Sequence, residues 1–419
     1  MGSLHVDRAF DVAVVGAGAA GQVAAIAAAE EGRRVVLLEQ MDRPGLKVLA
    51  SGGGRCNLTN LAPPAEFREA FGRQGRFTSP AMEAMGPKNL RRLLEQLGVP
   101  TVVCDGVQVY PASHRAADVQ AALRRRMEQL GVVVCLGCAV EKVWIDAGRL
   151  MGVETAAHGR IVAGRVVLAC GGKSWPTLGG TGGGYALARQ AGLIIREPLP
   201  ALVPLVTRQR WPGRLAGVSL HDARVWIDAR GEDKAGRTGD ILLTHRGLSG
   251  PAVLDISGRV AELLRRGPVP LKIELVAGMD AARWVRRLED WRRSAGRRGV
   301  AGLLQDHLPR SLCEVLCELA GVKERTSAAH LPAAERDALA KILGGLELTV
   351  TATEGFGVAF VTRGGVDLKG VEPDTLQSRT LEGLFLAGEM LDLDGPSGGF
   401  NLQWAFASGW LAGKSAARP

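Results

Sequence analysis

The sequence has no long apolar run. Its longest stretch, VAAIAAA at 23–29, is seven residues, and the one at Val12, Ala13, Val14 and Val15 is shorter, where a membrane span needs ~20. The opening MGSLHVDRAF holds no apolar segment of the kind a secretory leader carries. Val6 also stands where myristoylation after Met-Gly would need Ser or Thr. The expectation is a cytoplasmic protein without a membrane partner. Cysteine is scarce, with seven in 419 residues, and the odd number argues against a disulfide framework. Cys135 and Cys138 form a C-x-x-C within VVVCLGCAV, a strand–turn–strand pattern rather than the helix start a redox dithiol prefers. No His or Cys cluster near them in the sequence completes a zinc site. They are read, with Cys313 and Cys317, as structural thiols, and no metal is expected.

What remains is a chain of globular composition, 46% hydrophobic and 23% charged. It is too long for one core, so two or three domains are expected. Net charge is +9, and seven arginines fall within 283–298, RWVRRLEDWRRSAGRR. Trp284 and Trp291 interleave them at helical spacing, which reads as an amphipathic helix with tryptophans inward. The alternative is a basic patch for an acidic partner such as nucleic acid.

Glycine, at 56 residues, is informative through its clustering. Residues 11–40 read DVAVVGAGAAGQVAAIAAAEEGRRVVLLEQ. An apolar strand runs into Gly16, Gly18 and Gly21, a helix opens at Ala19 and Ala20, and a second strand ends at Glu39 and Gln40. This is the complete dinucleotide fingerprint. Gly16 allows the tight turn, Gly18 lets the backbone approach a pyrophosphate, and Gly21 lets helix and strand pack closely. The helix start offers free N–H groups to the phosphates, and Glu39 can accept from the adenosine ribose. A second fingerprint is missing: GGTGGGYALARQAG at 179–192 has the wrong spacing and follows a loop. Two later strands return toward the dinucleotide, RVVLACGG (165–172, with Gly171) and LEGLFLAGEMLD (381–392, with Gly388 and Glu389). One dinucleotide unit with such returns favours FAD over a nicotinamide cofactor.

The stretch after Glu39, MDRPGLKVLASGGGRCNLTN, should therefore run along the cofactor. Ser51, Gly52 and Gly53 let the backbone pack close and can turn N–H groups toward it. Lys47 and Arg55 can offset phosphate charge, and Asn57 and Thr59 can bond a flavin ring edge. Cys56, beside Arg55, is either a redox thiol of lowered pKa or a small buried side chain. Val140 is assigned to the cofactor as well.

GLKVLASGGGRCNLTN, TGGGYALARQAG, THRGLSGPAVLDIS (244–257), VTRGGVDL (361–368) and GEMLDLDGPSGGFNLQWAFASGWLAG (388–413) resemble, in order, the signatures of the HI0933-like flavoproteins. That family includes enzymes described as aminoacetone oxidases and as bile-acid-type enone reductases. The resemblance spans nearly the whole chain and implies FAD and a three-part α/β layout. A Rossmann-type FAD domain (1–195 and 352–419) would be interrupted by a β-rich, barrel-like domain (196–278 and 345–351), itself carrying a helical insertion (279–344). The strand-like pieces of 196–278 and the helical periodicity that follows, with Pro309 and Pro332 at helix starts, read the same way. This chain departs from the family pattern at Thr181-Gly182-Gly183-Gly184, where relatives carry an acid in place of Gly183.

Within THRGLSGP, Thr244 or Ser249 can cap a helix, or His245 can serve a flavin as proton donor. At the C-terminus, Gly398, Gly399, Asn401 and Leu402 open an apolar helix whose N-terminus should face the ring and favour its reduced, anionic form. The expected function is an FAD-dependent oxidoreductase on a small organic substrate, by amine or ketone oxidation or enone reduction. The flavin would be reoxidised by oxygen or would exchange hydride with a transiently bound NAD(P)H. The alternatives are a flavoprotein acting on RNA through the arginine-rich segment, and a flavin sensor without turnover.

Overall fold

A computed structural model describes residues 9–418; the leader and lipidation readings rest mainly on residues 1–8, outside them. The chain divides into two compact units, one reaching to Leu199 and resuming at Val361, the other spanning Pro200–Phe360.

The first unit is built on strand β1 (Phe10–Val15), helix α1 (Ala19–Glu30) and strand β2 (Val35–Leu38). β1 reads as continuous apolar sequence because it is buried on both faces, as central parallel strands are. It pairs in parallel with β2, Val14 opposite Leu37, and with the long strand Gly159–Leu168, Val14 opposite Val167. Val133–Cys135 extends the sheet beyond β2, and Leu384–Leu386 joins the far end of Gly159–Leu168. The first half of that long strand instead pairs antiparallel with Arg149–Thr155, which pairs with Val140–Asp146. The parallel strands therefore finish at one edge, where α1 begins.

α1 is made almost wholly of small residues, and every one from Ala19 to Ala29 is buried. The final helix, Phe400–Ala416, lies against it. A Cβ on Gly409 would come within 2.2 Å of the Ala20 carbonyl oxygen, and one on Gly413 within 2.3 Å of that of Ala24. Positions four apart share a helix face, so these glycines bring the two backbones together in the same direction. Both helices thus run in the same direction, and the final helix extends past the start of α1 at its own N-terminal end.

The second unit is a closed six-stranded antiparallel barrel. Its order is Leu205–Thr207, Gly247–Ser249, Arg237–Leu243, Ser219–Ile227, Val269–Glu274 and Leu346–Thr353, which pairs back onto the first. Val269, Leu271 and Ile273 alternate inward, as a half-buried strand requires. Helices start at Arg310, after Pro309, and at Ala333, after Pro332. Trp284, Leu288, Trp291, Leu312, Leu316 and Leu343 from the helical segment share one hydrophobic core with the barrel strands. The helices and the barrel are accordingly one compact unit, and the first unit resumes at Val361.

Candidate functional site

The three glycines of the first turn hold their positions for different physical reasons. Gly16 has φ +99°, and a Cβ there would lie 2.6 Å from the Ala169 carbonyl oxygen. A Cβ on Gly21 would lie 1.7 Å from the Gly16 carbonyl oxygen. Both are glycine because the protein's own backbone occupies the space. Gly18, the N-cap of α1, has an ordinary φ of −75°, and a Cβ there would meet nothing within 4 Å. Neither strain nor packing requires glycine at this position, which fits a cradle shaped for a group approaching the helix start.

Glu39 is buried, and its carboxylate is anchored at this turn. One oxygen accepts from the Ala17 N–H at 2.7 Å, the other from the Met41 N–H at 2.9 Å. Ala19 and Ala20 are buried at the start of α1, and the exposed Gln40 amide donates to the Gly179 carbonyl. The Ala17 carbonyl in turn accepts from the Gly45 N–H at 2.9 Å, so the turn is tied to the short helix Leu46–Ala50 that carries Lys47.

Lys47 is ion-paired. Its Nζ lies 2.5 Å from Glu389 Oε2 and 2.7 Å from Ser174 Oγ. The other Glu389 oxygen accepts from the Ser174 hydroxyl at 2.7 Å and the Thr362 N–H at 2.9 Å. From its charge Lys47 is expected at a phosphate; in the structure that charge is opposed by Glu389. Gly171 has φ +71° and open space around it, while its neighbour Gly172 is the crowded position. A Cβ on Gly172 would meet Thr362 Oγ1 at 2.3 Å and Glu389 Oε1 at 2.7 Å. Ser174, Thr362 and Gly172 escaped the sequence reading because no local pattern marks residues whose partners lie about 190 to 215 positions away.

The glycine run forms a left-handed turn, with Gly52, Gly53 and Gly54 at φ +57°, +65° and +86°. Ser51 donates to the Val48 carbonyl at 2.7 Å. Arg55 is exposed and stacks over Tyr110 at 5.2 Å. Of the two readings of Cys56, burial favours the small structural side chain. It is fully buried, and burial pushes its thiol up to about 11, opposite to the lowering suggested by Arg55. A protonated, enclosed thiol is a poor nucleophile.

The end of this stretch meets the start of the final helix. In the orientation that satisfies both its ends, the Asn57 amide donates to the Thr59 carbonyl and accepts from the Gly399 N–H, each at 3.2 Å. Asn60 donates to the Gly398 carbonyl at 3.0 Å. Gly399, at φ +96°, would place a Cβ 2.6 Å from the Thr59 carbonyl oxygen. The Asn401 side chain bonds both the N–H and the carbonyl of Gly395 at 2.8 Å, so it braces its own loop and leaves only its backbone to address a ligand. Leu402 is half-buried in the first helical turn, whose N–H groups have no partner within the helix. Trp404 and Ser408 bond the Gly388 backbone from the same helix. Nearby, burial raises the Asp392 carboxyl and, with Glu389 and Asp392 beside it, the Tyr185 phenol. Val140 opens its strand opposite Thr155, half-buried.

Thr244 and His245, of the signature THRGLSGP, belong to the second unit. Thr244 closes a turn, its hydroxyl accepting from the Gly247 N–H at 3.0 Å, and His245 stands exposed on that turn. The following helix, Pro251–Leu264, has Gly250 at its N-cap and no side-chain cap, so neither Thr244 nor Ser249 caps it. The arginine-rich segment forms the helix Ala281–Ser294. Trp284, Leu288 and Trp291 are buried and the arginines exposed, the amphipathic arrangement.

A strand–glycine–helix turn answered by a buried acid defines a dinucleotide-binding α/β unit, and the family in which it stands makes the protein a flavin-dependent oxidoreductase. The chain belongs to the HI0933-like family: the HI0933-like protein Rossmann domain matches residues 10–415. It is 36% identical to a 3-dehydro-bile acid delta(4,6)-reductase of Clostridium scindens, covering 97% of this chain and 98% of that one. It is 31% identical to a ribosomal RNA dihydrouridine synthase of Escherichia coli, over 96% of each chain. In fold it is similar to a 3-ketosteroid delta1-dehydrogenase of Sterolibacterium denitrificans, with a TM-score of 0.55 at 14% identity, covering 98% and 99% of the two chains. Among the described residues no helix is long and apolar enough to cross a membrane.

Proposed function

We propose that the protein is a cytoplasmic FAD-dependent reductase of a carbon–carbon double bond conjugated to a carbonyl, in a small cyclic substrate. The observation that carries this reading is Gly18. It is free of strain and of contacts, and it sits at a helix start between two glycines that the backbone demands and an acid anchored on the same turn. That arrangement suits a dinucleotide whose pyrophosphate lies over α1 and whose ribose reaches Glu39. Gly388, the Lys47–Glu389 pair, Ser51 to Gly53, Asn57, Thr59 and the final helix from Gly398 to Leu402 would hold the remainder of FAD. Bound FAD supplies hydride transfer.

Glu389, held by Lys47, Ser174 and the Thr362 N–H, would orient rather than react. The final helix would contribute first-turn N–H groups that favour negative charge. With no second dinucleotide fingerprint in the sequence, any NAD(P)H would serve as a transiently bound reductant. His245, exposed on its turn, is the candidate proton donor. The substrate class rests on the relatives: the reductase named for a delta(4,6) bile acid and the dihydrouridine synthase both saturate ring double bonds. The higher identity of the former favours a small molecule over RNA. The exposed arginines beside Trp284 and Trp291 fit an ordinary amphipathic helix.

The test is direct. The denatured protein should release FAD. Under anaerobic conditions it should oxidise NADH or NADPH only when a cyclic enone is added, yielding the saturated ketone, and His245→Gln should slow that turnover. Release of FMN or of no flavin would refute the cofactor. Turnover with ribosomal RNA and none with any cyclic enone would refute the substrate class.

A further inference from the structure

The first unit carries a second cluster, which the flavin reading does not use. Cys135 ends the strand that pairs with β2, with Leu38 opposite it. The turn after it is pinned by backbone: Gly137, at φ +64°, donates to the Met41 carbonyl at 2.9 Å, and the Cys138 N–H donates to the Glu39 carbonyl at 2.8 Å. That geometry brings Cys138 round to the side of Cys135. From the other direction, the hairpin between Arg149–Thr155 and Gly159–Leu168 presents His158 at its turn, its N–H held by Thr155 Oγ1 at 3.0 Å. The two sulfurs and a ring nitrogen of His158 all lie within 4.8 Å of one another. Cys135 Sγ is 3.3 Å from His158 Nε2. Along the sequence no histidine completes this C-x-x-C, because His158 is 20 residues beyond Cys138 and only the hairpin returns it.

We propose that Cys135, Cys138 and His158 form a binding site for a thiophilic divalent cation of the zinc class. Two sulfurs and one imidazole are a ligand set that zinc accepts, at about 2.3 Å and 2.0–2.1 Å, and tetrahedral angles then set the donors roughly 3.5–3.8 Å apart. Cys135 Sγ and His158 Nε2, at 3.3 Å, stand just short of that range and no two donors are more than 4.8 Å apart, so small rotations of the side chains suffice. The cysteines are buried and His158 is half-buried, and a water would complete the tetrahedron. Two structural thiols need no imidazole pointed at them. The site has a mechanical consequence too. The Glu39 N–H donates to the Cys135 carbonyl and the Glu39 carbonyl accepts from the Cys138 N–H, both at 2.8 Å. An ion here would clamp the backbone on either side of Glu39.

Cobalt(II) serves as the probe, because thiolate ligation gives it a charge-transfer absorption. Chelator-treated, reduced protein titrated with Co2+ should take up one ion per chain with that band, and Zn2+ should displace it. Cys138→Ser should abolish the band. His158→Gln, at a half-buried turn where folding is not at stake, should weaken binding at least about tenfold while leaving a thiolate band. Far-ultraviolet circular dichroism establishes that both variants are folded. No thiolate band in the wild type would overturn the proposal, as would equal uptake by wild type and a Cys135→Ser/Cys138→Ser variant. Unaltered affinity in His158→Gln would remove the histidine and overturn the site as stated. None of these readings depends on the flavin.

Discussion

Gly18→Val separates ligand binding from folding more cleanly than any other change in the turn. Its φ of −75° and ψ of −169° suit a β-branched residue, and a Cβ there meets no protein atom within 4 Å. Replacing glycine at an N-cap by valine costs about 0.5–1 kcal/mol. Reduced freedom of the unfolded chain returns about 0.4–1 kcal/mol. The apoprotein should therefore keep its stability within about 1 kcal/mol, or about 2–4 °C in Tm. Three added carbons would crowd a pyrophosphate lying over the helix start. Overpacking of that kind costs about 1–3 kcal/mol, or about 5- to 150-fold in Kd at about 1.4 kcal/mol per decade. Titration of apoprotein with FAD, followed by quenching of flavin fluorescence, reads the affinity, and calorimetry without flavin reads the stability. Gly21→Ala is the contrasting variant: its Cβ would stand 1.7 Å from the Gly16 carbonyl oxygen, so the apoprotein itself should be severely destabilised. An FAD affinity for Gly18→Val within about twofold of wild type would refute the placement of the dinucleotide over α1.

The Lys47–Glu389 pair, with side chains 28% and 20% exposed, lies between surface pairs and buried ones, so a double-mutant cycle of Lys47→Met and Glu389→Gln should give a coupling of about 1–3 kcal/mol. Chemical denaturation measures it, and a coupling under about 0.5 kcal/mol would show that the pair is screened. Cys56→Ala should retain most of the turnover and cost about 1 kcal/mol, because the thiol is buried and protonated; a loss of orders of magnitude with FAD still bound would make it a participant. Burial raises the folded-state pKa of Asp392 above its ordinary 3.8. Its contribution to stability is therefore fully present below pH 3.8 and is lost as pH rises through the raised value. Asp392→Asn should accordingly stabilise the protein at neutral pH, by an increment that shrinks as the pH falls toward 3.8, and thermal melts across that window check the sign.

Some of this protein was legible along the chain because the signals are local. An apolar strand, glycines at fixed offsets, small helix formers and an acid after the next strand all fall within residues 10–40, and hydrogen bonds within that segment realise them. Helix starts after Pro309 and Pro332 are local for the same reason, since proline suits the beginning of a helix. The tertiary structure decided what depends on distant partners. Sequence shows that Lys47 and Glu389 are charged, but only the fold sets them side by side across 342 positions and opposes the one charge with the other. Composition makes Cys56 look activated beside Arg55, whereas packing encloses it. Gly409 and Gly413 read as ordinary small residues until α1 lies against them, and His158 reads as a lone histidine until a hairpin carries it to Cys135. Periodicity records which face of an element is apolar; which residue of another element meets that face is settled by close packing of the whole chain.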